Sequence, residues 1–190
     1  MRASRTARPQ VERSKKPAAA RRRRPVVIRT ATPADAPRNH ALIKAHVQEG
    51  HLLPRTLSEV TAQAPRFVVA VRGRDVVASA ELMPLSHNVA EVRSLAVDVG
   101  ERGSGLGRRI VDELRLRARR EGYDRLCAFT HQPGYFVHMG FSIVPHVWLP
   151  EKIFTDCVKC PLFRACGQQA MLVEIESPRE AGIELTSLPA

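Results

Sequence analysis

The residues best suited to chemistry in this 190-residue chain surround a glycine-rich turn, in which Arg102, Gly103, Gly105 and Gly107 follow an R-G-x-G-x-G spacing. A strand-like run, Leu95-Ala96-Val97, precedes the turn, and a helix-like segment follows it. Glycines let the backbone approach a ligand closely, and free N–H groups at a helix N-terminus attract an anion such as a pyrophosphate. The pattern favours an enzyme or a nucleotide-cofactor binder.

Other phosphate-binding loops fit this turn less well. A Walker A loop needs Lys and Ser or Thr after its second glycine, but Leu106-Gly107 follow Gly105. A dinucleotide-binding turn needs G-x-G-x-x-G and an acid at the end of the next strand, whereas Asp124 precedes the next strand-like run. An ordinary glycine-rich turn is the remaining alternative.

The segment from Arg102 to Gly107 resembles the Q/R-x-x-G-x-G/A motif of the GCN5-related N-acetyltransferases (GNAT family), and the resemblance extends over about residues 26–176. It implies an α/β (α+β) fold with a mixed, mostly antiparallel central sheet flanked by helices. It also implies acetyl-CoA as co-substrate, with its pyrophosphate on the glycine loop and its pantetheine arm along the preceding strand. The cofactor-binding residues would be Leu95, Ala96, Val97, Arg102, Gly103, Ser104, Gly105, Leu106, Gly107 and Arg108.

Charge and composition divide the chain into three parts. Residues 1–25 hold ten basic residues and one acid, and so carry nine of the eleven net positive charges. We expect residues 1–25 to be a disordered basic tail, 26–176 to be the catalytic domain, and 177–190 to be a flexible C-terminal tail. The tail lacks an accompanying nucleic-acid-binding motif, so nucleic acid is not an expected partner. Without an apolar run long enough to span a membrane, we expect a soluble, cytoplasmic protein.

Hydrophobic periodicity predicts the element order β-α-α-β-β-β-α-β-α-β, followed by a cysteine-bearing insert at residues 150–170 and a last strand near residues 171–176. The helix predicted from Leu106 to Arg120 has an apolar stripe for the core and arginines mostly elsewhere. This order predicts a mixed sheet with helices on its faces.

Acetyl transfer to an amine requires a general base, and the resemblance places it at Glu91. Strand alternation predicts that Glu91, Arg93, Leu95 and Val97 face the same way. Glu81, on the neighbouring predicted strand, is a second candidate, and a base acting through water is a third. A carboxylate that simply pairs with Arg93 is the structural alternative for Glu91.

A general acid must protonate the departing thiolate, and Tyr135 is the candidate. The family pattern F-Y-x-x-x-G-F places a tyrosine at the position of Phe136 here, with Tyr135 one residue earlier. One residue rotates a helical side chain by about 100°. His131, His138 or solvent therefore remain alternatives, as does a packing role for Tyr135.

Cys157, Cys160 and Cys166 form a C-x2-C-x5-C cluster, and Cys127 lies apart. In a cytosolic chain such spacing suggests metal more often than disulfides, and His131, His138 or His146 could supply a fourth zinc ligand. The second C-x2-C pair of a zinc ribbon is absent, so we expect reduced cysteines and no metal.

The segment around these cysteines resembles the end of short, stand-alone amino-acid N-acetyltransferases, the N-acetylglutamate synthase domains of arginine biosynthesis. Leu52 to Thr56 and Glu91 to Val97 share the resemblance. It implies an α-amino acid acceptor, L-glutamate or L-glutamine, and Arg55 and Arg93 are the candidates for binding its carboxylate. Acetylation of a protein or another amine, and a non-catalytic CoA-binding regulator that uses the basic tail, are the alternatives. A homodimer is compatible with the sequence.

Overall fold

A computed structural model describes residues 24–175 of the chain, and within them five α-helices flank a seven-stranded sheet. The strands are β1 Val26–Thr30, β2 Phe67–Arg72, β3 Asp75–Pro84, β4 Val89–Val97, β5 Arg125–Thr130, β6 Ser142–Val144 and β7 Gln169–Glu174. The helices are α1 Ala36–Gln48, α2 Leu57–Ala62, α3 Leu106–Arg120, α4 Pro133–Val137 and α5 Pro150–Thr155. The predicted element order is confirmed, and α5 is a helix inside the predicted insert.

The sheet has the order β1-β2-β3-β4-β5-β7-β6, and only its central pair, β4 and β5, is parallel. The predicted mixed, mostly antiparallel sheet is therefore confirmed. The parallel pairing is short: only Val89–Glu91 of β4 pair with β5, at Arg125–Cys127. Beyond Glu91 the two strands separate, which leaves one edge of β4 without a strand partner.

The hydrophobic core lies mainly between the sheet and α3. The apolar stripe predicted on this helix is buried, and residues from β3, β4, β5 and β7 join it in one cluster. The buried α3 side chains are Leu106, Ile110, Val111, Leu114 and Ala118. This packing holds the N-terminus of α3 firmly against the end of β4.

The entry to α1 is stabilised by a capping box and an ion pair. Asp35 accepts hydrogen bonds from the backbone N–H and hydroxyl of Thr32, at 2.8 and 2.9 Å. Arg29 binds the same carboxylate through two N–H groups, at 2.7 and 2.8 Å. Hydrogen bonding to Arg29, against a smaller opposing effect of burial, holds the pKa of Asp35 well below its usual range.

A β-bulge in β4 corrects the predicted strand alternation. Ser94 has φ +54°, and the register places Arg93 opposite Glu81 but Ala96 opposite Ser79. The extra residue reverses the facing of every side chain that follows it. The prediction that Leu95 and Val97 share a face with Glu91 and Arg93 is therefore wrong. Leu95 and Val97 pack against the α3 cluster, whereas Arg93 pairs with Asp156, the residue that follows α5.

The predicted tails lie outside the described residues, apart from residues 24 and 25. Between residues 150 and 170 the chain forms α5 and two single 3-10 turns, Cys157–Lys159 and Phe163–Ala165. Among residues 24–175, no helix is both long and apolar enough to cross a membrane.

Candidate active site

The separation of β4 and β5 opens a cleft of about 940 Å³ that runs from the glycine loop to α5. Its walls come from the part of β4 that does not pair with β5, the end of β5, and the loop before α2. The N-terminus of α3 and the helix α4 complete them. Most of the residues predicted for cofactor, acceptor and acid–base roles thus line one cavity, but Glu81, the second candidate base, does not. Ala96 and Ser104 do not line it, since Ala96 packs beneath α1 and the Ser104 hydroxyl donates to the Glu101 carbonyl at 2.6 Å.

The glycine loop presents its backbone to this cleft. Gly103 and Gly105 both have φ +77°, a region that glycine adopts without strain, and a Cβ at either position would meet nothing within 4 Å. Gly105 precedes α3, and the first intrahelical bond runs from the Arg109 N–H to the Gly105 carbonyl. The N–H groups of Leu106, Gly107 and Arg108 therefore lack an acceptor within the helix, as a phosphate-binding N-terminus requires.

Gly107 is needed for space rather than for backbone freedom. A Cβ on residue 107 would overlap the hydroxyl of Tyr135 and come within 3.2 Å of Val97 Cγ2. The tyrosine, the glycine loop and the end of β4 are consequently in direct contact.

Arg102 is positioned by α1, which the sequence analysis did not connect with the loop. Its guanidinium binds Glu49 at 2.5 Å and lies 3.3 Å from Nε2 of the buried His46. The same His46 nitrogen accepts a hydrogen bond from the Val97 N–H at 3.2 Å. One histidine thus ties α1 both to the arginine of the loop and to the cleft end of β4.

Two carboxylates and two cations form a network at the other end of the cleft. Lys152 Nζ lies 2.9 and 2.8 Å from the two oxygens of Glu91, and Arg93 Nη2 lies 2.6 Å from one of them. Asp156 accepts hydrogen bonds from Lys152, at 2.8 Å, and from Arg93. Burial disfavours the charged form of Asp156, but Lys152 and Arg93 outweigh it and lower the pKa of this carboxyl.

Glu91 is therefore an ion-paired carboxylate. Only 3% of Glu91 is exposed, and both of its oxygens already accept from Lys152. An amine in the cleft would have to displace a cation to reach it directly.

Arg55 binds a second buried carboxylate, Glu81. The Arg55 guanidinium donates to Glu81 at 2.9 Å and to the side-chain oxygen of Gln63 at 3.0 Å. Glu81 is fully buried, and its other oxygen, Oε1, has no hydrogen-bond partner among residues 24–175. Arg55 and Arg93, the two predicted acceptor-binding arginines, both line the cleft and both hold carboxylates of the protein itself.

The candidate acid Tyr135 faces the cleft, with 41% of its surface exposed, while Phe136 is buried against Phe141. Burial, together with the charge of Asp112, raises the pKa of the Tyr135 hydroxyl, so this group stays protonated at neutral pH. Among the alternatives, His131 lines the cleft and His138 does not.

The three clustered cysteines line the cleft, whereas Cys127 is buried in the sheet. Burial raises the pKa of Cys157 and, more strongly, that of Cys127. In the described part of the chain, no group of three or more His, Cys, Asp or Glu side chains is arranged to hold a metal ion.

Four residues of this site were not predicted from the sequence: His46, Gln63, Lys152 and Asp156. His46, Lys152 and Asp156 each contact a predicted residue from an element distant in sequence, whereas Gln63 lies only eight residues from its partner Arg55. The i,i+4 spacing of Lys152 and Asp156 could have suggested an ion pair on α5, but not its contact with β4.

This fold and cleft define an acyltransferase, and comparison with known proteins identifies the family. Residues 35–141 match the family model described as the acetyltransferase (GNAT) family. Over 144 residues the chain is also 30% identical to an uncharacterized N-acetyltransferase of Chlorobaculum tepidum, covering 76% of this chain and 93% of that protein. The chain belongs to the acetyltransferase (GNAT) family.

More distant similarities include an amino-acid acetyltransferase and a solved CoA complex. The chain is 28% identical over 113 residues to the amino-acid acetyltransferase of Pectobacterium carotovorum subsp. carotovorum, covering 58% of this chain but only 26% of that protein. The structure of Mycobacterium tuberculosis Rv2747 in complex with CoA and NLQ is similar with a TM-score of 0.66 and 25% identity, covering 78% of this chain and 98% of that one.

Neisseria gonorrhoeae N-acetylglutamate synthase, complexed with coenzyme A and N-acetyl-glutamate, shares the fold with a TM-score of 0.72 at 24% identity. The match covers 79% of this chain and 35% of that one.

Proposed function

We propose that this acetyltransferase moves the acetyl group of acetyl-CoA to the α-amino group of L-glutamate or L-glutamine, the first step of arginine biosynthesis. The observation that carries the proposal is the single cleft that joins the glycine loop at one end to Arg55, Arg93 and Lys152 at the other. The first end suits a pyrophosphate, and the second offers cations to a carboxylate-bearing acceptor.

For the donor, the proposal rests on the N-terminus of α3. The N–H groups of Leu106, Gly107 and Arg108 would bind the pyrophosphate, with Arg102 beside them. The open edge of β4 near Leu95 would accommodate the pantetheine arm and polarise the thioester carbonyl through a backbone N–H. The complex of Rv2747 with CoA supports this use of the fold.

Two glycine substitutions test the donor site. Gly105→Glu places a side chain and a negative charge in the proposed pyrophosphate site, and we expect acetyl-CoA binding to be lost. Gly122→Glu is the matched control, because Gly122 also has positive φ and open space around its Cα but lies beyond the other end of α3. Unchanged acetyl-CoA affinity in Gly105→Glu would exclude this site.

For proton transfer, Glu91 and Glu81 are the two candidates for the base, either of them acting through a water molecule. Glu81 keeps one oxygen without a partner among the described residues, whereas both Glu91 oxygens accept from Lys152. Tyr135 would protonate the departing thiolate, since its hydroxyl lies at the cleft end of β4. If Glu81 is the base, Glu81→Gln should lower kcat. Glu91→Gln should chiefly raise the KM of the acceptor, because it disturbs Arg93 and Lys152.

The acceptor is identified by a turnover screen with acetyl-CoA and each free amino acid, in which the product is detected by mass. We expect N-acetylated glutamate or glutamine, and no product from amines that lack a carboxylate. If the protein binds acetyl-CoA but acetylates neither amino acid at millimolar concentration, the proposed acceptor is wrong, whereas the proposed acetyl-CoA site still stands. Acetylation of peptides instead would indicate a protein acetyltransferase.

A further inference from the structure

The two carboxylates that share Arg93 and Lys152 are held very differently. The Glu91 side chain is 4% exposed and lies on the central strand β4, where the sheet fixes its backbone. The Asp156 side chain is 31% exposed and follows the last residue of α5, a helix of only six residues. Of the two anions, Asp156 is the one that can leave without rearranging the sheet.

The network is also balanced in charge. Arg93 and Lys152 each carry one positive charge, and Glu91 and Asp156 each carry one negative charge. A substrate carboxylate added to this end of the cleft would bring an excess negative charge unless one internal carboxylate moved away. Because all four side chains line the cleft, that exchange can take place in contact with the bound acceptor.

We propose that Arg93 and Lys152 together bind a carboxylate of the acceptor, and that Asp156 occupies this carboxylate site in the unliganded protein. Asp156 thus competes with the carboxylate of the acceptor for Arg93 and Lys152, and so lowers the apparent affinity for the acceptor. The inference rests on the proposed acetylation of a carboxylate-bearing amino acid, and it adds Lys152 and Asp156 to the residues that determine specificity.

Asp156→Asn is the direct test, because it removes the competing charge and nearly preserves the shape of the side chain. We expect the KM for the amino acid acceptor to fall by about fivefold to tenfold, with little change in kcat or in the KM for acetyl-CoA. A residue that only supported the structure would give the opposite result, since its loss would raise KM or lower kcat. Glu113→Gln is the matched control, because Glu113 lies on the outer face of α3, paired with Arg120.

Lys152→Gln tests the other half of the inference and does not depend on how Asp156→Asn folds. We expect it to raise the KM for the acceptor at least tenfold while acetyl-CoA binding persists. Binding of glutarate, a five-carbon dicarboxylate without an amine, is then measured by calorimetry in the CoA-bound protein. Its affinity should rise in Asp156→Asn and fall in Lys152→Gln.

The outcomes separate this inference from the proposed function. If the native protein acetylates glutamate or glutamine but Asp156→Asn leaves KM unchanged or raised, Asp156 is not a competitor and the inference fails. If Lys152→Gln leaves both KM and glutarate binding unchanged, the carboxylate binds elsewhere in the cleft. If the native protein binds acetyl-CoA but acetylates no amino acid, the proposed function itself fails.

Discussion

The hydroxyl of Tyr135 occupies the space that a Cβ atom on Gly107 would need. This contact joins the proposed general acid on α4 to the first turn of α3, where the proposed pyrophosphate site begins. A residue at 107 larger than glycine must move Tyr135, Val97 or the helix itself. The glycine loop and the proton donor are therefore parts of one packed unit.

The contact predicts that Gly107→Ala weakens acetyl-CoA binding about tenfold or more and lowers the free energy of unfolding by about 1–3 kcal/mol. Calorimetric titration with acetyl-CoA and urea unfolding measure the two effects. Adding Tyr135→Phe removes the overlapping oxygen and should restore much of both losses. A double variant no better than Gly107→Ala would show that Val97, not Tyr135, makes the damaging contact.

The proposed role of the Tyr135 hydroxyl as general acid leads to a separate prediction about kcat. Tyr135→Phe alone should lower kcat by about 100-fold if the phenol protonates the thiolate, while the dissociation constant of acetyl-CoA stays nearly constant. Burial raises the pKa of Tyr135, so the native rate should not decline on the basic side until well above neutral pH. A full rate in Tyr135→Phe would assign protonation to solvent or to His131.

The pair formed by Arg55 and Glu81 predicts a strong coupling in stability. Arg55→Met leaves the Glu81 charge buried without its cation, which should cost about 3–5 kcal/mol of unfolding free energy. Arg55→Met combined with Glu81→Met removes both charges and should recover most of that loss, as measured by urea denaturation. Equal stability of the single and double variants would show that the two side chains are not coupled.

The lowered pKa of Asp35 should make part of the stability of the protein depend on pH under acidic conditions. Its pKa is lowered on folding, so its stabilising effect is complete above the ordinary value of 3.8 and is lost as the pH falls through the folded-state pKa. Asp35→Asn should therefore be less stable than the native protein by about 1–2 kcal/mol at pH 7, with a smaller difference below pH 3. Asp75→Asn, at an exposed carboxylate at the start of β3, is the control. A constant difference between Asp35→Asn and the native protein at all pH values would contradict the assignment.

The four cysteines should differ in reactivity. We expect a maleimide to label Cys157, Cys160 and Cys166 in the native protein and to reach Cys127 only after denaturation, because Cys127 is fully buried and burial raises its pKa. Intact mass measurement counts the labels, and Cys127→Ser identifies the protected site. Saturating acetyl-CoA and acceptor should slow the labelling of Cys157, which lines the cleft. Rapid native labelling of Cys127 would show that the sheet opens more readily than its packing indicates.

Local patterns in the sequence predicted the element order well because they depend on neighbouring residues. The apolar stripe of α3 and the alternating and apolar runs of β2 to β5 act within a few positions. The glycine loop was predicted in the same way. The bulge at Ser94 was not, because a non-glycine residue with positive φ has no marker in the sequence.

Local sequence patterns were enough to predict the elements, the fold class and the place of the glycine loop at the start of α3, since periodicity and glycine spacing are short-range properties. Tertiary packing settles which charges meet: Glu91 with Lys152, Arg93 with Asp156, and Arg55 with Glu81. It also brings His46 into contact with Arg102. These partners are 26 to 63 residues apart, so no local pattern can specify their contact. They meet because β4 and β5 separate after Glu91 and the surrounding elements converge on the cleft that this separation leaves.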